Sequence, residues 1–177
     1  MLNSHGLKPN EELKIPGYKV HKINYAQSIS DGYAIARKFD INHKLYDDFD
    51  TDFLAVEVEK SLGPIVIATT YLPPRRPFLP YTDMHRLLSN SIPTYILGDF
   101  NGRYTTFGNR DSNTVGKSLI NFINQGKMIH LGPHFPTFFT HNSTSNSDKI
   151  FSNEHHYLNC ICEPGRHHHL GSLTNNF

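Results

Sequence analysis

Tyr95-Ile96-Leu97-Gly98-Asp99-Phe100-Asn101 carries an apolar run into a glycine and then sets an acid and an amide two residues apart. Side chains alternate along a strand, so this spacing aims Asp99 and Asn101 the same way where a buried strand reaches the rim of its sheet. A strand ending this way presents a proton-transfer group beside a neutral hydrogen-bonding group. Gly98 allows close approach of backbone or substrate, and an Asn can both donate and accept toward a phosphate oxygen or a water. Taken alone, the tetrapeptide Gly98-Asp99-Phe100-Asn101 also describes an Asx turn closing an ordinary strand.

Upstream, β-branched and aromatic segments recur between Gly, Pro, Asn and Asp. The pattern predicts strands at 18–25, 32–38, 53–60 and 65–71. The last two flank Ser61-Leu62-Gly63-Pro64 and read as an antiparallel hairpin. Pro73-Pro74 ends the fourth strand, because proline cannot donate to a ladder. Met84, Leu87 and Leu88 suggest a short helix over 82–90. Downstream of the Asp99 strand lies a polar loop, then the clearest helix in the chain. Val115, Leu119, Ile120, Phe122 and Ile123 make its apolar face, Asn113 or Ser112 caps its start and Gly126 ends it. Short strands at 128–131, 137–140, 149–151 and 157–162 complete the series. Many antiparallel strands with few, late helices predict two packed sheets with helices outside them.

The 177 residues suit one globular domain spanning 1–177. Seventeen basic against sixteen acidic side chains leave no global charge argument for a nucleic-acid partner, so any DNA-facing basic surface has to be local. Cys160 and Cys162 stand one residue apart, a spacing that strains a disulfide and reads as two reduced thiols. No apolar stretch is long enough for a membrane span and Met1-Leu2-Asn3-Ser4-His5 lacks a signal peptide's regions, which makes nucleus or cytoplasm the expected compartment. His155, His156, Cys160, Cys162 and His167, His168 and His169 invite a zinc reading. Their spacing follows none of the recurrent zinc patterns, and a solvated terminal stretch is the better account.

Four stretches resemble, in family order, the endonuclease/exonuclease/phosphatase superfamily, and within it the apurinic-type endonuclease domain of jockey-like non-LTR retrotransposons. They are TTYLPPRRPF (69–78), YILGDFNGRYTTFGNRDSNTVGKSLINFI (95–123), FPTFFTHNSTSNSDKIFSN (135–153) and ICEPG (161–165). The resemblance implies an α/β, four-layered sandwich of two mostly antiparallel sheets flanked by helices. It implies an endonuclease that nicks one DNA strand with Mg²⁺ or Mn²⁺, beside the reverse transcriptase domain of a parent element. Phosphodiester hydrolysis needs an activated water and charge stabilisation at the phosphate, and the matched positions supply both. By the match, Asp99 is the proton-transfer group and Asn101 orients the nucleophile or a phosphate oxygen. Tyr71 meets the scissile phosphate, and Asp148 orients a catalytic histidine. Thr137 and Asn142 match phosphate or groove contacts. Arg75, Arg76, Arg103 and Arg110 flank the motifs as backbone clamps.

The departures are as specific as the matches. The family's metal-holding glutamate falls on Ser4, and a hydroxyl is a poor ligand for a hard cation. The Ser-Asp-His motif falls on Leu170, Gly171 and Ser172, so the histidine position carries a serine. The family's first strand and helix would precede Met1. The expectation is therefore an N-terminally truncated, catalytically impaired endonuclease domain. Two alternatives stand beside it: a non-catalytic nucleic-acid-binding or interaction remnant of the same fold, and a branch of the superfamily acting on a small phosphoester.

Overall fold

The computed structural model of the chain describes residues 13–24, 32–46, 52–76, 78–139 and 144–153. Its centre is a six-stranded sheet. The hairpin predicted around Ser61-Leu62-Gly63-Pro64 forms as β4 (Leu54–Val58) and β5 (Ile65–Tyr71), with Val58 paired to Ile65 at its closed end. A short edge strand, β3 (His43–Tyr46), pairs antiparallel with β4. On the other side of β5 lies β6 (Thr94–Asp99), and this pair is parallel, from Val66 opposite Thr94 to Tyr71 opposite Asp99. Parallel neighbours need a crossover, and α1 (Tyr81–Leu88) supplies it. The sheet continues through β10 (Asp148–Ser152) to β7 (Ile129–Gly132), both pairings antiparallel. Two further pairs stand apart in register: β1 (Tyr18–Asn24) with β2 (Gly32–Lys38), and β8 (Phe138–Phe139) with β9 (Thr144–Ser145).

Alternation along each strand divides the large sheet into two faces. Val66, Ala68, Ile96 and Phe151 point to one of them, where they pack with Met84, Leu87 and Leu88 of α1 and with α2 (Thr114–Asn124). Within α2, Val115, Leu119 and Phe122 are buried, while Ile120 and Ile123 sit half-buried at the margin of that core. The predicted caps are in place. The Asn113 side chain accepts from the Gly116 N–H at 2.9 Å, and Gly126, at φ +67°, closes the helix with its N–H on the Ile123 carbonyl.

β2 lies against β5. Because β5 is hydrogen-bonded on both edges and its helix-side face is filled, β2 covers the opposite face. Buried Tyr33 anchors it. The result is a mixed α/β sandwich of mostly antiparallel strands with few helices. Among the described residues, helices flank one outer face, so three of the four expected layers are seen: helices, large sheet and the β1–β2 sheet.

Most predicted strands appear within one or two residues of their expected limits. β3, β9 and the 3₁₀ turn Thr105–Phe107 had no clear sequence signal, being only two to four residues long. The strand expected at 157–162 lies outside the described residues. So do Ser4, Asn142, both cysteines and the terminal histidines.

Candidate active site

Register builds the site. Tyr71 is opposite Asp99 across the parallel β5–β6 pair, and Asp148 is opposite Asp99 across the antiparallel β6–β10 pair. Directly opposed residues share a face, so these three side chains form one row at the sheet's edge, on the side away from α1 and α2. Neighbouring strands are about 4.8 Å apart, which puts three functional groups within reach of one phosphate. Tyr71, Asp99 and Asn101 line a cavity of about 490 Å³, together with Arg103, Asn109 and Arg110 from the following loop and Phe138, Thr144, Ser145 and Ser147 from the segment before and within β10's approach. Asp148 sits beside this lining, in the row with Asp99.

The alternation expected to carry Asn101 to the same side as Asp99 stops at the end of β6. Asn101 does not continue the alternation of the strand. Its φ is +45°, in the left-handed region that Asn tolerates better than most residues. The chain turns there because the Asn101 N–H donates to the Asp99 carboxylate at 3.1 Å, which is the Asx turn that the tetrapeptide also encodes. The Asn101 amide then donates to the Leu72 carbonyl at 3.0 Å, and the Leu72 N–H donates to the Asp99 carbonyl at 2.8 Å. Turn and cavity rim are one structure. Asn113 extends it: its amide donates to the Asn101 carbonyl at 2.7 Å, while its oxygen accepts from Arg103 N–H as well as from Gly116. The helix cap thus fixes the site loop.

Two glycines are required by this packing. A Cβ on Gly98 would lie 2.3 Å from the Thr70 carbonyl oxygen, so the β5–β6 approach needs glycine there. A Cβ on Gly116 would lie 1.9 Å from the Arg103 carbonyl, where the site loop crosses the first turn of α2.

Electrostatics separate Asp99 from an ordinary rim carboxylate. Burial pushes its carboxyl up to about 6; the neighbouring Asp148 charge adds to the rise, while the Asn101 N–H and Lys149 oppose it. A carboxyl titrating near neutrality is suited to proton transfer.

The remaining predicted residues divide by their surroundings. Arg103 is at the cavity and pairs with Asp111 at 3.0 Å, an exposed and hence weak pair. Arg110 lines the cavity as well. Arg75 is exposed on the turn after β5. Arg76 is engaged by both carboxylate oxygens of Asp52, so its charge is already matched. The Thr137 hydroxyl accepts from the Ser147 and Asp148 N–H groups at 3.2 and 3.1 Å, fixing the start of β10.

A divalent cation such as Mg²⁺ takes hard oxygen donors. Among the described residues no three His, Cys, Asp or Glu side chains group closely enough to hold one. Those residues do not by themselves form a metal centre.

Lys149 escaped sequence reasoning. It follows Asp148 and is 1% exposed, with its ammonium on the Asn146 carbonyl and 5.0 Å from the Phe107 ring centre. The signal was present in the alternation Asp148, Lys149, Ile150, Phe151, which puts the lysine on the same side as a core phenylalanine.

The layered α/β sandwich, with mostly antiparallel strands and few helices, has the fold of the endonuclease/exonuclease/phosphatase proteins. The chain superposes on the endonuclease domain of TRAS1, a telomere-specific non-LTR retrotransposon, with a TM-score of 0.65 and 18% identity, covering 77% of this chain and 67% of that one. On the human Nocturnin catalytic domain the TM-score is 0.54 at 17% identity, covering 78% and 61%. Residues 65–172 match the family model described as endonuclease-reverse transcriptase. The chain belongs to that family. Its curated relatives include the RNA-directed DNA polymerases of the mobile element jockey from Drosophila funebris and Drosophila melanogaster, 24% and 25% identical over 142 residues. That alignment covers 77% of this chain and 15% of either relative. No helix among the described residues is long and apolar enough to cross a membrane.

Proposed function

We propose that this chain is a DNA endonuclease domain that hydrolyses one phosphodiester bond at the edge of its large sheet, and that its turnover is impaired. The observation that supports this reading is the shared row of Tyr71, Asp99 and Asp148, closed by the Asn101 turn. Asp99 takes a proton from the attacking water, with its carboxylate held in place by the Asn101 N–H. The water oxygen attacks phosphorus, the phosphorus–oxygen bond to the leaving strand breaks, and the departing oxygen takes its proton from solvent water. Tyr71 meets the phosphate from the neighbouring strand, and Arg103 and Arg110 offset its charge from the loop. In the family pattern Asp148 orients a histidine, whose position here carries Ser172. A serine hydroxyl has no basicity near neutral pH and cannot exchange that proton efficiently. Mg²⁺ or Mn²⁺ is the cofactor that the family resemblance implies. In a parent element the nick would prime a reverse transcriptase.

The test is nicking of supercoiled plasmid with Mg²⁺ or Mn²⁺. Slow, EDTA-sensitive nicking that disappears in Asp99→Ala supports the proposal. Fast nicking would refute the impairment. No nicking, accompanied by DNA binding that weakens steeply with salt, would replace the enzyme with a nucleic-acid-binding module.

A further inference from the structure

The row at the sheet edge contains an electrostatic conflict: Asp99 and Asp148 are directly opposed on adjacent strands, where like charges repel. On the far side of the same sheet, one residue along, sits a buried cation. The Lys149 backbone is opposite Gly98, and its stem turns back toward the start of β10, so that the ammonium donates to the Asn146 carbonyl. That carbonyl belongs to the peptide unit that joins Asn146 to Ser147, and Ser147 lines the cavity. Among the described residues, Lys149 makes no direct ion pair. Yet a buried ammonium is costly unless compensated. One carbonyl and the face of Phe107 give part of that compensation.

We propose that Lys149 is a positioning residue for the Asp99–Asp148 pair: its ammonium, sealed behind the sheet, is the counter-charge that allows two carboxylates to stand side by side at the cavity. Burial lowers the lysine to about 8, with both carboxylates acting in the other direction, and the same attraction holds Asp99 down against its own burial. Among the described residues, His130 on β7 also faces Lys149, and His134 packs against His130. His130 is pushed down to about 4 by burial, with His134 and Lys149 adding to the fall, so it is neutral over the working range. It therefore cannot replace Lys149 as the counter-charge.

The deciding experiment follows Asp side-chain carboxyl carbons by NMR against pH in the full chain, comparing wild type with Lys149→Met, which keeps length and removes charge. The Asp99 midpoint should rise by about one pH unit. A midpoint unchanged within a few tenths in a folded variant overturns the proposal. Linkage is reciprocal, so Asp99→Asn should lower the titration midpoint of the Lys149 side-chain nitrogen. That arm decides the matter if Lys149→Met does not fold, and an unmoved lysine there is equally fatal. A rate arm rests on the endonuclease reading. Lys149→Met should lose about threefold in nicking at pH 6.5 and nearly tenfold at pH 5.5, with recovery by pH 8.5. Uniform loss at every pH marks a merely structural lysine and refutes the proposal. Wild-type protein that never nicks refutes the endonuclease reading instead, while the titrations still judge Lys149.

Discussion

Asp99→Asn should stabilise the fold while abolishing nicking. In the folded chain the Asp99 carboxyl is raised from 3.8 to about 6. Each tenfold change in proton affinity is worth about 1.4 kcal/mol, so carrying the ionised group in the fold costs about 3 kcal/mol. Partial exposure of Asp99 and the loss of an attractive neighbour for Lys149 reduce the expected gain on neutralisation to about 2 kcal/mol. The amide oxygen of the variant still accepts from the Asn101 N–H, so the turn survives. The sign with pH follows from proton counts. Between 3.8 and 6 the folded state binds more protons than the unfolded chain, so wild-type stability falls as pH rises through that window, and the full cost is present above 6. The advantage of Asp99→Asn should therefore be about 2 kcal/mol at pH 7.5 and well under 1 kcal/mol at pH 4. For a chain of this size the former corresponds to a rise in Tm of about 4–8 °C. With no tryptophan in the sequence, urea unfolding followed by far-UV circular dichroism, in EDTA at both pH values, is the suitable assay. A variant less stable than wild type at pH 7.5, or equally stabilised at both pH values, would refute the assignment of Asp99 as a burial-strained carboxyl.

Nicking by the wild-type chain should fall on the acid side with a midpoint near pH 6, where Asp99 takes up its proton; a profile flat to pH 5 would exclude Asp99 as the base. Gly98→Ala should cost about 2–4 kcal/mol in urea unfolding, because the new Cβ meets a backbone oxygen of β5 that cannot move without opening the parallel pair. Asn113→Ala removes a helix cap and the ties to Arg103 and Asn101. It should cost about 1–3 kcal/mol and also weaken nicking, whereas a loss of stability with unchanged activity would separate the cap from the site. Asn153→Ala should cost about 2–3 kcal/mol while leaving the pH profile unmoved. The Asn153 amide donates to the carbonyls of Leu88, Asn90 and Ile92, and its oxygen accepts from Thr94 N–H, holding the turn between α1 and β6.

By itself the sequence determined the elements and the chemistry carried at their ends. β-branched runs bounded by Gly and Pro marked β1, β2, β4, β5 and β6, and the Asn113 to Gly126 interval marked α2, because these signals are local and depend on period and capping alone. Asp99, Tyr71 and Asp148 were legible as acid, phenol and acid at strand ends. Only the tertiary structure decided that they are neighbours, since strand order and register depend on long-range pairing that no local pattern encodes: β6 lies between β5 and β10, which are distant in the chain. The same pairing turned Asn101 from a second projecting side chain into the hinge of the rim, and matched Arg76 to Asp52. It also set Lys149 behind two carboxylates, where burial, a property of the assembled sheet and helices, gives both lysine and Asp99 their altered proton affinities.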